Sequence, residues 1–168
     1  TMQLLLDCGA AIDEINTVRK HLSLIKGGQL MEYTRARVIT LLLSDVPGDD
    51  LSVIASGLTV PDTTTFADAW QIIKKYQLSE KLPVSVRSRL ISGIEGAVQD
   101  TPKPGNPVFS KVHNTLVASN QTALNAAATK AQALGYATTV LSPMLTGEAA
   151  IQAEAFMNRL KNEKSSSP

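Results

Sequence analysis

The chain has one cysteine among its 168 residues, so no disulfide can form within it. A reducing, cytoplasmic setting is the simpler expectation, because oxidising compartments favour paired thiols. Cys8 stands near Leu4, Leu5 and Leu6, and a free cysteine in such company usually acts as a small buried apolar group. No apolar run approaches the roughly 18 residues that a bilayer demands, which argues against a membrane protein. The opening residues TMQLLLDCGA lack the basic start and long apolar stretch of a signal peptide. Charge of one sign is also missing: 16 Lys and Arg stand against 15 Asp and Glu, a net +1. That balance gives no reason to expect nucleic acid or an anionic membrane as a partner.

Three loops that carry familiar chemistry are absent as well. There is no G-x-x-x-x-G-K-[ST] phosphate loop, no G-x-G-x-x-G fingerprint and no G-x-S-x-G elbow. A conventional P-loop kinase and a dinucleotide-fingerprint dehydrogenase are therefore unsupported. His21 and His113 each lack a second His or Cys at metal-ligand spacing, which argues against zinc.

What remains is an ordinary globular composition, 43% hydrophobic and 18% charged, in a length that can bury one real core. The first third reads as helical. Leu4, Leu5 and Cys8 can share a face, with Gly9 as a stop. Ile15, Val18, Leu22 and Ile25 form a second helical stripe that leaves Arg19 and Lys20 toward another side. Gly27 and Gly28 end it. Val38 to Leu43 (VITLLL) is a continuous apolar run with β-branched residues, which suits a strand covered on both faces. SDVPGDD then breaks the strand at a Pro-Gly turn.

Asp62 to Thr65 offer caps for a helix over 66–76, and another helix is expected after Pro83, up to Gly93. Residues 94–110 read as a long surface loop, a kind that often borders functional sites. The last part predicts strand 115–118, helix 121–134 and strand 137–141, a right-handed β-α-β unit with parallel strands. A final helix is expected over 147–161. The fold class is therefore α/β, a three-layer α/β/α arrangement on a Rossmann-like parallel sheet. Three strands are few for so many helices, so an incomplete piece of a larger domain is expected. The expected divisions are a helical segment 1–36, an α/β portion 37–162 and a polar tail 163–168.

Ligands of open parallel sheets bind beyond the carboxyl ends of the strands. Three segments fall there: 44–50, 119–122 and 142–148. In the first, Asp45, Asp49 and Asp50 could hold Mg²⁺ or orient a hydroxyl, with Gly48 permitting close approach. The alternative is a plain turn and helix cap. Ser119 and Asn120 open a helix, where amides and the helix dipole favour phosphate but where ordinary caps also live. Arg19, Lys20 and His21, with Lys26, Gly27 and Gly28 one helical turn beyond, could neutralise a phosphate or carboxylate, or form a solvated basic face.

Several stretches together resemble one family. EINTVRKHLSLIKGGQL at 14–30, LLLSDVPGDDLSVIASGLTVPD at 41–62 and TPKPGNPVF at 101–109 are similar to blocks of the glycerate kinases that carry a C-terminal MOFRL domain. The resemblance covers nearly the whole chain. It implies ATP- and Mg²⁺-dependent phosphorylation of the 2-hydroxyl of D-glycerate, giving 2-phosphoglycerate. Members are often labelled hydroxypyruvate reductases, a label that the missing dinucleotide fingerprint speaks against.

The resemblance implies catalytic roles for Lys20, Asp45 and Asp49, the two aspartates also serving the metal. It implies substrate or phosphate contacts from Arg19, Ser44, Gly48, Ser56, Gly57, Ser119 and Asn120. Leu58 replaces a usual proline and Thr63 another, which loosens the 56–65 loop. The family's upstream glycine-rich segments and its MOFRL domain are not in this sequence, so the chain alone is expected to be inactive. A non-catalytic binding module is the alternative. An incomplete sheet would also leave edges that invite a homo-oligomer.

Overall fold

The structure is a computed structural model that describes residues 1–142 and 144–165. Its first unit comprises residues 1–43 and 50–117, and its second comprises 44–49 and the chain from 118 onward.

The first unit is built on four helices: α1 (Met2–Asp7), α2 (Ile12–Leu22), α3 (Phe66–Lys75) and α4 (Val84–Ile94). Each begins where local chemistry tells it to. Thr65 caps α3 by accepting from the Asp68 amide at 3.2 Å, while Asp68 accepts from the Thr65 amide at 2.8 Å. Pro83 stands just before α4, where its missing N–H costs nothing. Glu14 closes the start of α2 by accepting from the Ala11 amide at 3.0 Å. The same carboxylate takes Lys75 Nζ at 2.6 Å and the Tyr76 hydroxyl at 2.7 Å, tying α2 to the end of α3.

The core joins the helices' inner faces through Leu5, Ile15, Val18, Phe66, Ala69, Ile73, Leu78, Leu82 and Leu90. Gly93 makes room for it. A Cβ there would lie 2.2 Å from Phe66 Cγ, so the ring occupies the place of the missing side chain. A glycine inside a helix costs about 1 kcal/mol relative to alanine, which the seated ring offsets. Cys8 departs from expectation. It ends α1 rather than continuing the helix, and it is exposed. Leu5 carries the buried contact of α1 instead.

Strands β1 (Val38–Ser44) and β2 (Val112–Ser119) pair as a small parallel sheet. This agrees with the α/β class expected from the sequence. Thr59 joins the two strands. Its hydroxyl meets Thr40 Oγ1 at 3.3 Å and Asn114 Oδ1 at 2.6 Å. Cover on both faces of β1 does not hold: Ile39, Leu41 and Leu43 are 67–70% exposed. No element among the described residues lies over that side, so the strand alternates in burial as a one-sided strand does.

In the second unit, α5 (Asn120–Ala133) and α6 (Ala149–Ser165) enclose an apolar groove of about 1010 Å³ lined by Leu124, Ala131, Val140, Leu141 and Phe156. The strand expected over 137–141 is not formed. A strand exists through cross-strand hydrogen bonds, and this segment instead borders the groove while Thr138 Oγ1 accepts from Gln132 Nε2 at 3.0 Å. No described helix is long and apolar enough to cross a membrane.

Candidate functional site

In the first unit, the polar side of α2 does not face solvent as a basic surface. Lys20 and His21 are buried, and the reason is a carboxylate 42 residues away. Asp62, fully buried, accepts from Lys20 Nζ at 3.1 Å, from the Thr64 amide at 3.1 Å and from the Thr64 hydroxyl at 2.8 Å. Its second oxygen accepts from Thr101 Oγ1 at 3.0 Å. Burial pushes the Asp62 carboxyl up. The Thr64 amide and hydroxyl and the Lys20 charge outweigh it and hold the group below the usual range.

His21 Nδ1 donates to the Thr17 carbonyl at 2.8 Å, and Nε2 lies 3.0 Å from Asp100 Oδ1. Its ring rests edge-on against Phe66, with centroids 4.8 Å apart. The loop after α4 is thus fastened rather than free. Thr101 is buried, the Asp62 amide donates to the Pro102 carbonyl at 3.0 Å, and Lys103 Nζ donates to the Thr64 carbonyl.

The glycines after α2 clasp a second segment. Gly27 N–H donates to the Ser56 carbonyl at 2.9 Å and Gly28 N–H to that of Gly57 at 2.6 Å. A side chain on Gly28 would meet Val60 O at 2.6 Å, so only glycine permits this approach. The clasped residues Ala55, Ser56 and Gly57 are all left-handed, with φ of 51°, 59° and 64°. Two of them carry a Cβ, so the turn stores about 1–2 kcal/mol each. It is held by a buried bond: Ser56 Oγ donates to Asn16 Oδ1 at 2.8 Å. Arg19 Nη1 donates to the same oxygen at 3.1 Å, and Lys26 Nζ donates to the Ala55 carbonyl at 3.0 Å.

The second unit holds the other group of expected residues. Ser44 Oγ accepts from the Val46 amide at 3.2 Å, and the Asp49 amide donates to the Val46 carbonyl at 3.0 Å, which folds SDVPG into a tight turn. Gly48 and Asp49 both take left-handed φ, 82° and 56°, a region aspartate tolerates better than most residues. Asp45 and Asp49 line a pocket of about 290 Å³ with Pro47, Gly48, Asn120 and Gln121. Ser119 is the cap of α5, accepting from the Thr122 amide at 3.5 Å.

Asp50, by contrast, belongs to the first unit and accepts from the Ser52 amide at 2.8 Å as a turn former. No group of three His, Cys, Asp or Glu that could enclose a metal occurs among the described residues.

Arg19, Lys20, Ser56 and Gly57 thus fall in the first unit; Ser44, Asp45, Gly48, Asp49, Ser119 and Asn120 fall in the second. Reading the sequence missed Asn16, Asp62 and Thr101 as organising residues. Asn16 left a trace, since a weak helix former next to buried Ile15 needs a partner. Asp62 looked like one more helix cap.

Residues 1–91 match the family described as "Domain of unknown function (DUF4147)". A glycerate 2-kinase of Pyrococcus horikoshii is 48% identical over 149 residues, covering 89% of this chain and 33% of that protein. An Agrobacterium vitis protein with a provisional hydroxypyruvate reductase name is 49% identical over 148 residues, 88% of this chain and 32% of its own. The solved structure of a glycerate kinase from Thermotoga maritima superposes with a TM-score of 0.66 at 38% identity, covering 83% of this chain and 31% of that one. The chain therefore spans about a third of the length of the relatives it matches.

Proposed function

Because this chain belongs to the DUF4147 family, and its relatives include glycerate kinases, we propose that it forms part of a glycerate 2-kinase. The reaction is transfer of the ATP γ-phosphate to the 2-hydroxyl of D-glycerate, giving 2-phosphoglycerate, in the cytoplasm. The observation that carries this reading is the pocket formed by the SDVPG turn and the first turn of α5, which sets two carboxylates beside helix-start amides. Phosphoryl transfer needs positioning and charge neutralisation more than covalent help, and these groups supply both.

In this reading, Asp45 accepts the proton of the glycerate 2-hydroxyl as it attacks, or orients it. Gly48 lets a phosphate approach the backbone, and Asn120 and the amides of α5 receive its charge. Ser44 and Ser119 shape the turn and the helix start. Within the first unit, taken by itself, Arg19 faces a carboxylate or phosphate anion, while Ser56 and Gly57 form the turn beside it. Lys20, committed to Asp62, keeps α2 and the 62–64 loop in register behind Arg19.

Two carboxylate donors fit Mg²⁺ in the manner of phosphate-transfer enzymes, which bind the ion through one or two carboxylates, water and substrate oxygens. Asp45 and Asp49 would hold it. When bound, the ion offsets phosphate charge.

The test is ATP-dependent formation of 2-phosphoglycerate by the Pyrococcus horikoshii relative carrying Asn at the position matching Asp45. We expect turnover to fall by about 10²-fold or more with folding unchanged. Near-normal turnover removes Asp45 from this role. Hydroxypyruvate-dependent NADH oxidation, run in parallel, tests the name on the Agrobacterium relative and is expected to be absent.

A further inference from the structure

We propose that the left-handed turn 55–57 is the seat of an oxyanion site whose second cation is Lys26 and whose positioning residue is Asn16. This rests on the reading of Arg19 as the anion-facing residue and adds the partner that makes the site bidentate.

Arg19 and Lys26 share three properties. Both are half-buried, both are fastened to neutral oxygens, and neither pairs with a carboxylate among the described residues. Of the other cations near α2, Lys20 is neutralised by Asp62 and Lys75 by Glu14, while Arg89 is held by the His21 carbonyl, away from the 55–57 turn's own contacts. A half-buried cation held by a neutral acceptor keeps its charge for a ligand, and arginine and lysine together suit carboxylate or phosphate oxygens.

Lys26 is fastened to the strained turn directly, and Arg19 is linked to its next residue through Asn16. Lys26 holds the Ala55 carbonyl, and Arg19 shares Asn16 Oδ1 with the Ser56 hydroxyl. Each cation uses one N–H in these bonds, leaving four on the guanidinium and two on the ammonium. The backbone that presents Lys26 is fixed, since Gly27 and Gly28 are clasped to Ser56 and Gly57. Strain of this kind persists where surroundings over-determine it, often beside bound ligands. Asn16 touches no ligand here; it acts by aiming Arg19 and by fixing the turn.

The experiment is calorimetric titration of this chain with D-glycerate and, separately, with inorganic phosphate, at low salt. Saturable binding is expected for at least one anion. D-glycerate alone assigns a carboxylate, phosphate alone assigns a phosphate group, and both support a shared oxyanion site. Lys26→Met and Arg19→Gln should each weaken it about tenfold or more. Asn16→Asp keeps an acceptor for Ser56 and for Arg19 but neutralises the guanidinium. It should weaken binding similarly while the circular dichroism spectrum stays native, an effect a purely structural asparagine would not give.

Lys74→Met, on the exposed side of α3, should bind as the unaltered chain. Absence of saturable binding, unaltered affinity in the three variants, or an equal loss in Lys74→Met overturns the proposal. Loss of phosphoryl transfer in the relative's Asp45-matching variant bears on the kinase reading alone, so the two can fail separately.

Discussion

Replacing Asp62 with alanine tests whether the buried network, rather than the apolar core alone, holds the first unit together. The carboxylate has no solvent exposure and satisfies four donors, among them Lys20, whose side chain is 7% exposed. Removing one partner of a buried pair strands the other charge and costs about 3–5 kcal/mol. The Thr64 amide loses its acceptor too, adding about 1–2 kcal/mol. The Thr64 and Thr101 hydroxyls can rotate toward other partners, so they add little.

A loss of about 4–7 kcal/mol follows, close to the whole stability of a marginal domain. Asp62→Asn keeps the shape and one acceptor, so it leaves a folded protein in which the pair can be measured. In a Lys20→Met background the same substitution should cost at least about 2 kcal/mol less, because no charge is left stranded. Urea unfolding with a constant slope is the assay. A cost under about 1 kcal/mol for Asp62→Ala, or strictly additive losses in the cycle, would refute the reasoning.

Further outcomes follow from other contacts. Glu14 is held at about 2 by the Lys75 and Tyr76 hydrogen bonds. A carboxylate with a lowered folded pKa stabilises above its unfolded value and loses that contribution on acidification. Stability should therefore fall between about pH 4.5 and 2, and Glu14→Gln should flatten that part of the profile in thermal melts. Ala55→Gly should raise stability by about 1 kcal/mol, because φ of 51° strains any residue with a Cβ; a loss would show that the turn is not strained. Gly93→Ala should destabilise by about 1–3 kcal/mol by driving a methyl into the Phe66 ring, despite alanine's better helix propensity.

Much of the local structure was legible because periodicity and caps act over a few residues. The stripe Ile15–Val18–Leu22 gave α2, the candidate caps Asp62 to Thr65 gave the start of α3, and Pro-Gly gave the turn after β1. The Lys20–Asp62 pair was not legible. It spans 42 residues and turns what read as a solvated basic face into buried structure. The segment 137–141 has strand composition, but composition supplies no neighbour, and without one the backbone has no ladder to join. Cys8 failed for a similar reason: its helix ends one residue earlier than the apolar pattern suggested, which turns the thiol outward.

The motifs singled out the two aspartates of the second unit and Arg19 of the first as candidates, whereas the contacts of Asn16 and Lys26 take shape only once the 55–57 turn is folded against them. Which residue of a basic run keeps its charge available depends on where distant carboxylates fall, and a linear pattern cannot supply that.

The Phe66 ring links α4 with the His21 end of α2, two regions that Arg89 Nε also joins by donating to the His21 carbonyl at 2.9 Å. One side of it fills the space left by Gly93 in α4, and another supports the His21 imidazole 4.8 Å away. The ring therefore works as a spacer of fixed thickness, and positions 66 and 93 form a single volume divided between two sites. In related chains the two should covary in opposite directions, a bulkier residue at 93 accompanying a smaller one at 66. A change at either site alone would shift His21, and with it the loop that Asp100 and Thr101 anchor.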